Sequence, residues 1–262
     1  MTLLKHEIKM NLKSILIWAI SVGGLCAGCI LLFESLEESM KEMTDAYSDM
    51  GAFSAALGMD KLSISTMEGF YGTEIALMFA LGGAMFAAMT GAAMLSKEEE
   101  GHTCEFLATL PLGRGRIFFW KYAAVVLLVL LFNLMTVLLI LAGFAGAGEM
   151  LDGKTFVLYH GAQLIMQLEV GSICFLISAL SKKKQIGACL GFAMVLYIGD
   201  LMCRVIPDLE GLKYVTPYYF SNGADIFASG EVQWGMAAAA LVVMVLSVVA
   251  AAVVYQKKDL AS

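Results

Sequence analysis

The sequence predicts an all-α integral membrane protein with six transmembrane helices, and three observations carry that prediction. Of 262 residues, 60% are hydrophobic and 15% charged, with a mean hydropathy of +0.79. Soluble domains run at roughly 45–50% apolar and 25% charged, and a water-soluble core cannot absorb so much apolar surface. Runs long enough to cross about 30 Å of hydrocarbon, which takes about 20 residues, fall at 15–33, 71–95, 118–145, 156–180, 186–206 and 234–255. The basic residues are sorted as well: twelve of the seventeen Lys and Arg lie before the first run or in the links after the second, fourth and sixth, counting Lys121 at the start of the third run.

Three prolines and 26 glycines fit long helices with small-residue contact points. A membrane barrel would show alternating segments of about 10 residues. Cys26, Cys29, Cys174, Cys189 and Cys203 lie in apolar runs and Cys104 in a charged link, so no disulfide framework is expected. A single permease-sized domain, 1–262, accounts for the chain.

At the N-terminus, Leu4, Ile8, Leu12 and Ile15 recur every three or four residues with Lys5, Lys9 and Lys13 between them. That pattern predicts an amphipathic helix lying in the headgroup region ahead of the first span. A cleaved signal peptide is the rival reading of 1–33, but no small-x-small cleavage site precedes Glu34, and a retained helix is expected. The lipoprotein-like Leu25-Cys26-Ala27-Gly28-Cys29 has its leucine one position too far from Cys29.

The link 34–68 carries eight acidic residues against Lys41 and Lys61 and reads as an acidic outer loop. With Lys154, Arg204 and Lys213 also on that side, the positive-inside rule puts both termini in the cytoplasm of a multi-pass cell-membrane protein. The overall charge of −6 says less than this sorting, and no nucleic-acid partner is indicated. Gly24 with Gly28, and Gly187 with Gly191, have the small-x-x-x-small spacing of close helix contacts.

Several polar residues interrupt the spans. Glu169 lies mid-span, where a charged carboxylate costs on the order of 2.5–3.5 kcal/mol on insertion scales, so it must be neutral, paired or in a cavity. On the same helix His160, Gln163 and Gln167 share a face and Glu169 points away from it. With Asn133 these are candidates for a translocation pathway, the bland alternative being interhelical hydrogen bonds. Asp200 and Arg204, four apart, can pair on one face. Gly148 to Thr155 satisfies the phosphate-loop pattern G-x-x-x-x-G-K-[ST], but it joins two apolar spans with no strand before it, and Glu149 and Asp152 would repel an anion.

The most informative stretch is the link 96–117. It runs from Lys97 and the acidic Glu98-Glu99-Glu100 through Gly101, His102, Thr103 and Cys104 to Glu105-Phe106-Leu107, then Leu110-Pro111 and the basic Arg114 and Arg116. It predicts a short amphipathic helix, 104–110, stopped by Pro111 and displayed at the membrane surface.

This link resembles that of the permease subunits of type-2 ABC exporters, which read K-E-x-E-x-G-T-x-E-x-L-L-x-x-P-[LIV]-x-R with a lysine following. Lys97, Glu98, Glu100, Gly101, Thr103, Glu105, Phe106, Leu107, Pro111, Arg114 and Lys121 match. His102 is one residue in excess of the pattern. Tyr214-Val215-Thr216-Pro217-Tyr218-Tyr219-Phe220 with Asp225-Ile226 and Gly230, and Ala56-Leu57-Gly58 with Glu68-Gly69-Phe70, are similar to the family's outer segments.

The resemblance implies a permease that hydrolyses no ATP itself, binds no cofactor, and works with a second permease subunit and with ABC ATPase subunits that hold the ATP and magnesium. It implies that 97–116 is the coupling element, with Glu98, Glu99, Glu100 and Glu105 facing basic ATPase surface and Phe106, Leu107 and Leu110 filling its groove. Two alternatives remain at this point. One is an ion- or proton-coupled secondary transporter using Glu169 and His160. The other, a membrane enzyme using the same pair, is weakened by a separation of about 13 Å along one helix.

Overall fold

The computed structural model describes residues 2–48, 51–103 and 112–258. Six helices among them are long and apolar enough to cross a membrane, and no strand occurs among the described residues. In chain order the elements are α1 (Thr2–Ser48), α2 (Ala52–Leu57), α3 (Met67–Phe70), a π-helical turn (Tyr71–Ile75), α4 (Ala76–Met94) and α5 (Ser96–Glu100). There follow α6 (Arg114–Ala147), α7 (Gly153–Leu180), α8 (Ile186–Val205), a 3-10 helix (Pro207–Tyr214), α9 (Gly223–Ser229) and α10 (Trp234–Lys257). The spans are α1, the continuous stretch from α3 through α4, then α6, α7, α8 and α10.

α4 and α7 make the centre. Of their most apolar stretches 72% and 61% is buried, against 22% for α8 and for α10, which turn apolar faces outward. α1 packs chiefly on α6, and α7 on both α4 and α10. Small residues set the two closest crossings. A side chain at Gly143 would stand 2.9 Å from the Ala27 backbone, and one at Gly91 2.3 Å from the Gly171 carbonyl oxygen, so only glycine lets these backbones approach.

Several expectations are corrected. The N-terminal amphipathic stretch is not a separate interfacial element but the first turns of the 47-residue α1, about 70 Å long at 1.5 Å per residue. No proline or glycine interrupts it before Gly23, so nothing breaks the hydrogen-bond ladder there. Its buried stripe is Leu3, Glu7, Ile15 and Ala19, with Leu12 exposed; these turns pack on protein. The same helix continues to Ser48, so the acidic link is largely helical rather than a loop. Gly24, Gly28, Gly187 and Gly191 have no atom within 4 Å of where a Cβ would stand, so within the chain they make no helix contact. Gly23, one position away, faces α6 instead: a side chain there would stand 3.1 Å from the Thr136 Cα.

The segment 214–222, expected outside the bilayer, turns back among the helices. Thr216 donates to the Leu196 carbonyl at 2.7 Å, midway along α8. The Ser221 carbonyl accepts from Gln163 at 2.7 Å, ten residues or about 15 Å into α7. Non-helical backbone at such depth survives only where protein or a wet cavity meets its polar groups. Here Tyr218, Phe220 and Ser221 are buried.

Candidate functional site

At the end of the bundle that carries both termini, the acidic run of α5 gathers the chain. Lys121, in the first turns of α6, is completely buried. Its ammonium donates to Glu7 Oε1 at 3.1 Å, to Glu98 Oε1 at 2.5 Å and to the Met94 carbonyl at 2.9 Å. Lys97 pairs with the other oxygen of Glu7. Two carboxylates and two ammonium groups thus close a neutral network joining α1, α5 and α6. Breaking such a buried network by removing one partner costs about 3–5 kcal/mol, because the partner charge is stranded.

The next two acids reach the remaining helices. Glu99 accepts from Lys258 at 2.7 Å, and Lys258 also donates to the Ser181 carbonyl at 2.8 Å. Glu100 accepts from the Lys184 amide at 2.7 Å, and Arg114 donates to the Lys258 carbonyl at 2.9 Å. Ser178 on α7 accepts from the Leu95 and Ser96 amides, both at 3.0 Å, where α4 gives way to α5. Of the carboxylates expected to face an ATPase surface, Glu98 and Glu99 are therefore engaged by Lys121 and Lys258 and Glu100 by a backbone amide, and the ends of all six spans meet around α5.

α5 ends in a cap that puts His102 at the pattern's glycine rather than in excess of it, since residues 97 to 114 number 18, as the pattern does. His102 has φ 51°; its amide donates to the Glu99 carbonyl at 3.2 Å and that of Thr103 to the Glu98 carbonyl at 2.9 Å. This is a Schellman cap with His102 in the left-handed position usually taken by glycine. Gly101 and Thr103 flank it. Cys104, Glu105, Phe106, Leu107, Leu110 and Pro111, and with them the expected coupling helix 104–110, lie outside the described residues.

The polar residues of the spans separate into bonded pairs and cavity linings. Asn133 donates to Gln167 Oε1 at 2.6 Å across α6 and α7. His160 Nε2 shares a hydrogen bond of 2.9 Å with the Tyr71 hydroxyl, its ring packed against Phe79 and Phe156. Each such interhelical bond is worth about 0.6 kcal/mol on average. Glu169 does point away from them. It lines a cleft of about 370 Å³ with Lys213, Thr216, Pro217, Gln233 and Val243, and its buried Oε2 has no hydrogen bond. Glu169 and His160 share neither a bond nor a cavity, so the geometry does not assemble the pair on which a proton relay or acid–base site would depend.

Gln163 faces elsewhere. With Glu74, Asp200 and Tyr218 it lines a second cavity, of about 40 Å³, between α4, α7, α8 and the inward-turning segment. Asp200 and Arg204 pair as expected, at 3.1 Å. Arg204 also reaches Asp225 at 2.8 Å, which binds Lys61 at 2.5 Å, and its guanidinium lies 4.7 Å from the centre of the Tyr219 ring. Glu7, Glu74 and Tyr218 were missed from the sequence. Glu7 carried a signal, a lone acid between Leu3 and Asn11 on the stripe that is buried; Tyr218 was named only within the segment 214–220 that resembles the family's, and Glu74 carried none.

The phosphate-loop look-alike resolves into a helix-to-helix turn. Gly148 closes α6 in the left-handed region, φ 72°. Asp152 caps α7, accepting from the Thr155 amide at 2.9 Å and hydroxyl at 2.7 Å. Those bonds hold the Asp152 carboxyl below the usual carboxylate range. A carboxylate already sits where a phosphate would bind, and no strand precedes it.

Six apolar spans and a bundle whose polar groups face one another or cavities define a multi-pass membrane transport component. Residues 1–260 match the family described as ABC-2 family transporter protein, and the chain belongs to that family. It is a non-enzymatic membrane permease of the ABC-transporter class, as the link 97–121 implied. No curated protein matches the chain.

Proposed function

We propose that this chain is one of two permease subunits forming an export pathway for an amphipathic or hydrophobic substrate, driven by separate ABC ATPase subunits that bind ATP and magnesium. On this reading both termini are cytoplasmic, in the cell membrane, and 104–110 is the helix that docks on the ATPase. The observation that carries it is the junction around α5. A push on residues 104–111 would bear on a rigid network tied to every span, which suits transmission from a soluble motor. The acids Glu98, Glu99 and Glu100 then serve as the anchor of the coupling loop, and Glu105, Phe106, Leu107 and Leu110 as its contact. The cleft beneath Glu169 offers apolar volume beside one carboxylate and fits a substrate with an apolar body.

Co-purification with a co-expressed ABC ATPase is the test. Phe106→Ser combined with Leu107→Ser should abolish capture of the ATPase while the permease still inserts and purifies. Capture unaffected by that change would overturn the docking assignment. Transport by the purified chain without ATP or partner would overturn the motor-driven reading in favour of a secondary transporter.

A further inference from the structure

We infer that the cavity between α4, α7, α8 and the inward-turning segment is a binding site for a small monovalent cation, a free alkali ion or a primary ammonium group of a transported molecule. Gln163, Asp200 and Tyr218 are each at least 97% buried, and each presents to this part of the protein an atom without a hydrogen bond: Gln163 Oε1, Asp200 Oδ1 and the Tyr218 hydroxyl. All three residues line the one cavity. A buried acceptor left without a hydrogen bond is destabilising, so two of them beside a hydroxyl that can accept as well as donate point to a ligand that donates or carries positive charge.

Their orientations are held by bonds on the other side of each group. The Gln163 amide nitrogen is committed to the Ser221 carbonyl, which turns its oxygen the other way. Asp200 Oδ2 is committed to Arg204, and the Asn222 side chain also hydrogen-bonds the Asp200 carboxylate, while Oδ1 keeps no partner of its own. Half-buried Glu74 completes the lining. It stands in the π-helical turn, whose one inserted residue rotates the downstream helix by about 100°.

Charge selects the ligand. Three carboxylates, Glu74, Asp200 and Asp225, are met by two cations, Arg204 and Lys61, and Glu74 has no salt bridge among the described residues. The excess is one negative charge, which a monovalent cation neutralises and water does not. No cluster of three His, Cys, Asp or Glu suited to a metal occurs among the described residues, so a divalent ion is under-supplied with charge. A volume of about 40 Å³ exceeds the 10–15 Å³ that one water needs and admits an alkali ion or a methylammonium-sized group. It excludes tetraalkylammonium ions.

The site does not depend on the coupling reading, since binding by the permease alone requires no ATPase. The test is thermal unfolding of the full chain in zwitterionic lipid nanodiscs, with sodium, potassium, methylammonium or tetraethylammonium chloride at equal concentration. A saturable rise in midpoint with sodium or potassium assigns the site to a free ion, and one with methylammonium alone to a substrate ammonium. Either supports the inference. Glu74→Gln and Tyr218→Phe should each raise the half-saturating concentration about tenfold. Shifts no larger than with tetraethylammonium, or unchanged in both variants, overturn it; the wild-type contrast decides even where a variant fails to assemble.

Discussion

The two ends of the bundle treat buried polarity in opposite ways. Around α5 the charges are paired: Glu7, Lys97, Lys121 and Glu98 neutralise one another, with Glu98 Oε2 left without a hydrogen bond, and Glu99 and Glu100 have partners in the terminal segment and the 181–184 link. In the far half, Gln163, Asp200, Tyr218 and Glu169 keep unanswered atoms beside cavities. A satisfied network specifies one arrangement and resists change, whereas unsatisfied groups beside a cavity are a standing demand for a ligand. The contrast assigns rigidity to one end and recognition to the other.

Six substitutions break or sharpen that contrast. The largest effect belongs to Lys121→Met, which strands Glu98 and leaves Glu7 only Lys97, and should cost about 3–5 kcal/mol, read as a lowered thermal midpoint and yield in detergent. Adding Glu7→Gln should recover part of the loss, because the network again approaches neutrality. Gly143→Leu, which forces α1 from α6, should cost about 1–3 kcal/mol by overpacking, while Gly28→Leu should leave the monomer's stability unchanged. A smaller change of opposite sign is expected at the α5 cap: His102→Gly relieves a left-handed histidine and should stabilise by about 1 kcal/mol, seen as slower hydrogen exchange at Thr103.

Asp152→Ala should give the smallest effect. Because folding lowers the Asp152 pKa, its contribution is present at neutral pH and disappears as pH falls through that lowered value. The variant should lose this acid-side decrement in stability and little else.

Family resemblance was legible because the link 97–121 is written in contiguous residues, and the α5 cap shows why its one irregularity is tolerated. The polar residues of the spans were legible only as a set. His160, Gln163 and Gln167 share a helical spacing on α7, yet Gln167 binds Asn133 of α6, His160 binds Tyr71 and Gln163 lines a cavity, because each meets a different neighbouring element. The glycines at positions 24, 28, 187 and 191 show the same limit: the spacing permits a close contact without saying which helix comes near.

The amino-acid order by itself determined the spans and the sorting of basic residues, because the bilayer imposes length and charge rules that act on local sequence. It also settled that Gly148–Thr155 could not be a nucleotide site. Only the tertiary structure decided that Lys121 is a buried tie, that 214–222 turns inward, and that Glu74, Asp200 and Tyr218 line one cavity. Those facts depend on which helices touch, and long-range packing of apolar faces is degenerate in sequence until the crossings set by Gly91 and Gly143 fix it.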